Sequence, residues 1–226
     1  MLMVKFIRKL LCCFIILRFI PPFAVSASET KQLALTFDDG PSAHTAKLLD
    51  YMQEKGIRAT FFLVANRIPN YSQTVCRQAN EGHELGYHSY AHKDQTKLTS
   101  ERIFKEYQRA SQELFELTGK DYTLWRSPGG TFDRRVLEAI PLPHVYWSVD
   151  TRDWENKNRE AVRKAILSSA QDGAIILLHD LYASSVDGAI AAMEELLKQG
   201  YEFLTVSELL SRNGEPPKIC MNYCKD

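Results

Sequence analysis

Two aspartates stand side by side in LTFDDGPS (residues 35–42), directly after a short apolar run. Asp-Gly is a strong turn signal and accounts for Gly40 and Pro41. It does not account for two adjacent carboxylates, whose like charges make it costly to ionise both unless a cation or donor lies close by. Candidate partners for such a cation occur in GHELGYHSYAH (residues 82–92). A helical zinc-protease box needs two His four apart flanking a Glu. Here His83-Glu84 is followed by His88, five on, and Gly82 and Gly86 disfavour the helix. His88 and His92, four apart beyond Gly86, have a spacing that lets two imidazoles converge on one ion. Taken alone, His-x3-His reads more simply as a pair of exposed loop histidines. Asp39, arriving from another strand end, completes two nitrogens and one oxygen and leaves positions open for water and substrate, as catalytic zinc sites do. Asp38 is then available as a general base, kept ionised by the neighbouring cation.

Three further stretches carry polar groups at the ends of apolar runs. In WRSPGG (125–130), Arg126 is suited to orient a carboxylate, Asp38, through paired hydrogen bonds. In WSVDTRDW (147–154), Asp150 and Asp153 lie three apart; surface acids are the ordinary reading of such a pair. In AIILLHDLY (174–182), His179 closes a fully apolar run. A histidine there is often a satisfied core residue. Paired with Asp153, its pKa would rise and the imidazolium could serve as a general acid near neutrality.

The elements that must position these groups alternate along the chain. Short apolar runs at 33–37, 60–64, 84–87, 122–126, 144–149, 174–178 and 201–204 read as strands. Amphipathic stretches at 43–55, 72–81, 99–118, 133–140, 159–171 and 186–199 read as helices. Gly200 ends one helix as a C-cap, and Thr205 with Glu208 reads as a capping box opening a last short one. Strand–helix alternation implies parallel strands. About seven such units favour a closed (β/α) barrel in a single domain over an open sheet. Either way, chemistry belongs at the C-terminal strand ends. Asp38, Asp39, His88, Arg126, Asp150, Asp153 and His179 all fall on that rim.

The chain has 226 residues, 45% hydrophobic and 25% charged, which is ordinary globular material. Lys5, Arg8 and Lys9 precede an apolar run at 10–20, then Pro21-Pro22 and a small-residue stretch ending at Ala27. That order is a secretory signal over residues 1–27. The run is short for a membrane span and Arg18 interrupts it, so an uncleaved anchor, the only route to a membrane here, is the lesser reading. Without those residues the chain carries 24 basic and 28 acidic side chains. Nothing in that balance suggests a nucleic-acid partner. Of the remaining cysteines, Cys220 and Cys224 could pair with each other, or one of them with Cys76. Both fall in a C-terminal tail, 213–226, that no motif explains.

Together, TFDDGP (36–41), HSYAH (88–92), RSPGG (126–130), DTRDW (150–154) and LLH (177–179) resemble, in order, the five motifs of the polysaccharide deacetylases, carbohydrate esterase family 4. The resemblance runs from residue 33 to about 210, with the catalytic domain at 28–212. It implies a distorted (β/α) barrel and metal-dependent removal of acetyl groups from sugars. It further implies Asp39, His88 and His92 as metal ligands, Asp38 as base and His179 as acid, with Arg126 and Asp153 tuning those two. Asp150 is a further catalytic candidate, or a residue that only orders its loop. Zinc is the expected ion, with cobalt or manganese able to substitute. The surroundings look most similar to bacterial peptidoglycan N-acetylglucosamine deacetylases, which implies a monomer acting outside the cytoplasm on an acetylated polysaccharide. A chitin-oligomer deacetylase or an acetylxylan esterase would share every catalytic residue. A non-catalytic glycan-binding module would be expected to lack Asp38 or His179, and this chain has both.

Overall fold

The computed structural model describes residues 30–212, Gly214 and residues 222–223. The expected signal at 1–27, and Cys220 and Cys224 of the tail, lie outside the described residues. Cys76 forms no disulfide among the described residues; its thiol donates to the Leu117 carbonyl at 3.6 Å.

In chain order the elements are β1 (Gln32–Asp38), α1 (Thr45–Lys55), β2 (Thr60–Leu63), α2 (Ser72–Asn80), β3 (Glu84–Tyr87), α3 (Ser100–Thr118), β4 (Leu124–Trp125), α4 (Arg134–Ala139), β5 (His144–Val145) and β6 (Val149–Asp150). There follow α5 (Asp153–Asn156), α6 (Arg159–Ser169), β7 (Ile175–His179), α7 (Ala183–Lys198), β8 (Glu202–Phe203), α8 (Val206–Ser211) and β9 (Asn222–Tyr223). Every strand pairing is parallel, in the order β6-β7-β1-β2-β3-β4-β5-β9, with β8 on β1. Laid flat, β6 and β5 would stand six strand spacings apart, about 29 Å. Only residues 146–148 join them, a link that reaches at most about 14 Å. The wall therefore curls into a distorted barrel that is left unclosed between β6 and the far edge, where β9 lies on β5.

That opening corrects the expectation of one strand over 144–149. The run breaks after Val145, and its two halves pair with opposite edges of the wall, β5 with β4 and β6 with β7. The carbonyl of Tyr146 at the break turns to accept from Arg126. Apolar character marked the run as buried but could not say which neighbour each half would take. Elsewhere the helices shift slightly: α1 begins at Thr45 rather than 43, and α7 at Ala183 rather than 186.

Strand alternation sorts the side chains into two layers. Leu33, Leu35 and Phe37 of β1 face the helices in the main core. Ala34 faces the barrel interior with Phe62, Leu124, Val145 and Ile175, where Val206 and Leu209 of α8 pack against them. So α8 plugs the end of the barrel opposite the rim. Its N-terminal amides are taken up inside: Val206 N donates to Thr60 Oγ1 at 2.9 Å and Ser207 N to Glu84 Oε2 at 3.1 Å. The expected capping box of Thr205 and Glu208 is present. His83 is buried, its Nδ1 accepting from Ala59 N. Burial, with Arg58 and Arg77 nearby, holds it neutral, its pKa lowered to about 4. The broken His-Glu box thus belongs to the scaffold.

Gly86 on β3 is a glycine for reasons of space. A Cβ there would stand 2.4 Å from the Phe62 ring, which stacks under the Arg126 guanidinium at 4.1 Å. Gly86→Ala should therefore overpack the interior at a cost of about 1–3 kcal/mol. A thermal melt should show a Tm lowered by several degrees; an unchanged Tm would mean that Phe62 yields freely.

Candidate active site

At the end of β1 the chain turns at Asp39, which sits in the left-handed region at φ 69°. Asp tolerates that conformation better than most residues, and here it carries the side chain toward the loop after β3. Ser89 (φ 66°) and His92 (φ 52°) also adopt it, so the His88–His92 segment is a tight bend rather than a helical turn. Three non-glycine residues in this region at one place are a local strain that the surrounding fold sustains.

The bend brings His88 Nε2 to 3.2 Å and His92 Nε2 to 2.9 Å from Asp39 Oδ1. All three ligand atoms lie within 4.8 Å of one another. His88 Nδ1 donates to the Arg126 carbonyl at 2.8 Å, which turns Nε2 toward the carboxylate. Asp39 Oδ1 is buried and makes no well-formed hydrogen bond, despite two ring nitrogens at contact distance. Two ring nitrogens and a carboxylate oxygen converging at one point fit a shared cation, and the donor set suits a divalent one. Burial works against the Asp39 charge, but the two imidazoles outweigh it and hold the carboxyl well below the usual range.

Asp38 points into the barrel mouth, 3% exposed. Arg126, fully buried, donates from Nη1 to Asp38 Oδ1 at 2.8 Å and to Thr36 Oγ1 at 2.8 Å. The expected two-bond pairing is therefore a single bond. The rest of the guanidinium is spent on the Val145 carbonyl from Nε and the Tyr146 carbonyl from Nη2. Asp38 Oδ2 remains toward the site, 3.8 Å from His88 Nε2.

Across the cleft, His179 Nδ1 donates to Asp153 Oδ1 at 2.9 Å, and the His179 amide donates to Asp153 Oδ2 at 2.8 Å. Asp153 is fully buried at the start of α5. Burial opposes the charge on His179, but the Asp153 bond and the nearby Asp38 and Asp39 charges prevail and raise its pKa to about 9. Asp150 is exposed on the cleft wall and accepts from the Arg152 amide at 2.9 Å, which orders its loop. Of the residues named from the sequence, Asp38, Asp39, His88, His92, Asp150 and His179 line one mouth, with Arg126 and Asp153 buried behind it.

Sequence reasoning missed much of the cleft's lining. Trp147, Trp154 and Tyr182 wall the ≈ 370 Å³ space with Leu177 and Gly129. The two tryptophans stood in the stretch singled out for its acids, and large aromatics beside a catalytic rim were the available signal. Also missed was Asp180, fully buried and bonded to Thr45 Oγ1. Its carboxylate lies so close beneath Gly40 that a Cβ there would stand 2.4 Å from Oδ1. Burial raises its pKa to about 6.

A family model for polysaccharide deacetylases matches residues 26–141. The chain belongs to that family. Over 203 residues it is 36% identical to the peptidoglycan-N-acetylglucosamine deacetylase PgdA of Listeria monocytogenes, a match covering 89% of this chain and 43% of that one. It is 34% identical to the peptidoglycan-N-acetylmuramic acid deacetylase PdaC of Bacillus subtilis, over 79% of this chain and 38% of that one. The chain thus spans less than half the length of these two relatives. Among solved structures, a family 4 acetyl xylan esterase from Clostridium thermocellum in complex with a cobalt ion superposes with a TM-score of 0.80. It is 28% identical, and the match covers 86% of this chain and 98% of that one. The polysaccharide deacetylases are metal-dependent, and the Asp39–His88–His92 cluster is where this member could hold an ion.

The His179–Asp153 pair gives a direct pH test. Because the fold raises His179 from 6.5 to about 9, the pair's contribution to stability is fully present below about pH 6.5 and is lost as pH rises through 9. Asp153→Asn removes the principal partner and should lower the His179 pKa by about 1–3 in pH. An NMR titration of the metal-free protein reads this; an unmoved His179 resonance would show that Asp153 does not set its charge.

Proposed function

We propose that this chain is a metal-dependent N-deacetylase acting on N-acetylglucosamine residues of an extracytoplasmic polysaccharide, with peptidoglycan the favoured one. The observation that carries the reading is the placement of an arginine-held carboxylate and an aspartate-held imidazole on opposite sides of one carboxylate–imidazole cluster. Asp39, His88 and His92 would hold the ion, for which zinc is the best fit to two nitrogens and one oxygen. When bound, it would polarise the acetyl carbonyl and make water a stronger nucleophile.

The chain's own residues do the rest. Asp38, fixed by Arg126, takes a proton from the attacking water as oxygen adds to the acetyl carbon. The leaving nitrogen also needs a proton, and it has to come from the other side of the cleft. His179, charged by its contact with Asp153, donates that proton from Nε2 as the carbon–nitrogen bond breaks. Acetate and a free amine on the sugar are the products. Both tunings act through neighbours, which is how one cleft keeps a base and an acid at the same pH.

The relatives' names support peptidoglycan, and residues 1–27 support export; no described helix is long and apolar enough to cross a membrane. The deciding assay incubates zinc-loaded protein with peptidoglycan, chitin oligomers and acetylated xylan and scores acetate and new amine. Release from N-acetylated glycans is expected; release from acetylated xylan alone would make the chain an esterase.

Two variants separate the roles. Asp38→Asn should retain the ion yet lose about 10²–10⁴-fold in kcat, while Asp39→Asn should weaken zinc binding itself. Identical zinc titrations of the two would contradict the assignment. The rate should fall on the basic side as His179 loses its proton, and His179→Ala should abolish that limb along with most turnover.

A further inference from the structure

A second groove meets the cleft at Asp39 and His92, and its walls include Ala91, Leu181 and two polar side chains, Asn66 and Arg67. No step of the proposed reaction uses it. Arg67 is half-buried, and its Nε donates to the Pro41 carbonyl at 3.0 Å, which fixes the direction of the guanidinium. Among the described residues it is the arginine without an ion pair within 4 Å; the buried Asp180 carboxylate is close enough only to act on it through space. Arg58, Arg77, Arg102, Arg109, Arg126 and Arg134 each pair with Asp or Glu, as do the five later arginines. The Asp39 charge, the one acid on this groove, is committed to the two imidazoles.

The two arms of the mouth therefore differ in character. One has Trp147, Trp154, Tyr182 and the acid Asp150. The other has a positioned guanidinium held in no ion pair, whose fork matches a carboxylate. We propose that Arg67 forms a subsite for a carboxylate carried by the glycan, so that acid-bearing chains are preferred over neutral ones. The proposal rests on the deacetylase reading for its substrate class. The carboxylate can come from the acetylated ring itself, as in the 3-O-lactyl group beside the N-acetyl of N-acetylmuramic acid, or from the adjacent ring. Sharing Asp39 and His92 with the cleft puts the groove within reach of either.

The test compares three glycans: a neutral N-acetylglucosamine oligomer, one whose cleaved sugar bears the lactyl acid, and one whose neighbouring sugar bears it. The readout is the ratio of kcat/KM for acidic over neutral substrate. Charge-assisted bonds of this kind predict that Arg67→Gln lowers the ratio about 10- to 100-fold in the arm that brings its carboxylate to the groove. Arg67→Lys should fall between, since a point charge attracts without the fork. An unchanged ratio in both arms overturns the subsite, as does an equal loss on all three glycans, which would mean that Arg67 only braces Pro41. Calorimetric Kd values for the same glycans on Asp38→Asn protein, with and without Arg67→Gln, read the groove without turnover. If no glycan yields acetate but the acidic one binds tighter through Arg67, the deacetylase reading fails and the subsite stands. If acetate is released and neither ratio nor Kd responds to Arg67→Gln, the subsite fails and the reading stands.

Discussion

A full positive charge sealed inside a small barrel has to be compensated where it lies. Arg126 meets that demand with Asp38, Thr36 and the carbonyls of Val145 and Tyr146, over the face of Phe62. These partners come from β1, β2 and the edge at β5, so one side chain ties the wall across its own interior near the opening. The same residue offers its carbonyl to His88 Nδ1, which turns the other ring nitrogen toward Asp39. The orientations of Asp38 and His88 therefore both hang on this one buried residue. Gly86 belongs to this dependence, because a larger residue would push Phe62 into the space the guanidinium occupies.

The opposite side of the cleft is built on the reverse principle. There a buried carboxylate, Asp153, is the fixed element, and the titrating group is His179 at the cleft surface. One side fixes a carboxylate through an arginine, and the other holds an imidazole as a cation through a carboxylate. Between them, the left-handed turn at Asp39 and the close approach of Gly40 to Asp180 place the third carboxylate. Adjacent aspartates in the sequence thus end in different environments. Strand alternation sends Asp38 into the barrel, and the turn sends Asp39 outward to the histidines.

The site was largely legible because strand-end position is a strong constraint: residues that end successive parallel strands must share a rim. That placed Asp38, Asp39, His88, Arg126, Asp153 and His179 together before any packing was known. The hydrogen-bond pattern was less legible. Arg126 makes one bond to Asp38 where two were expected, because its other nitrogens answer backbone carbonyls, and composition says nothing about those. The strand over 144–149 divided because hydrophobicity reports burial and not partner choice. Arg67 went unnoticed for a similar reason: nothing in the short 3-10 turn Ala65–Tyr71 marks it as an arginine without an ion pair. Cys220 and Cys224 of the tail lie outside the described residues.

The central claim is that Asp39, His88 and His92 form a metal centre rather than a hydrogen-bonded cluster. Anomalous scattering from a crystal of the zinc-loaded protein, collected on both sides of the zinc edge, tests it most directly. The account predicts one strong peak within bonding distance of Asp39, His88 Nε2 and His92 Nε2, with Asp38 beside it but still on Arg126. A zinc peak held instead by Asp38 and Asp153, or none at this cluster with zinc in excess, would contradict it.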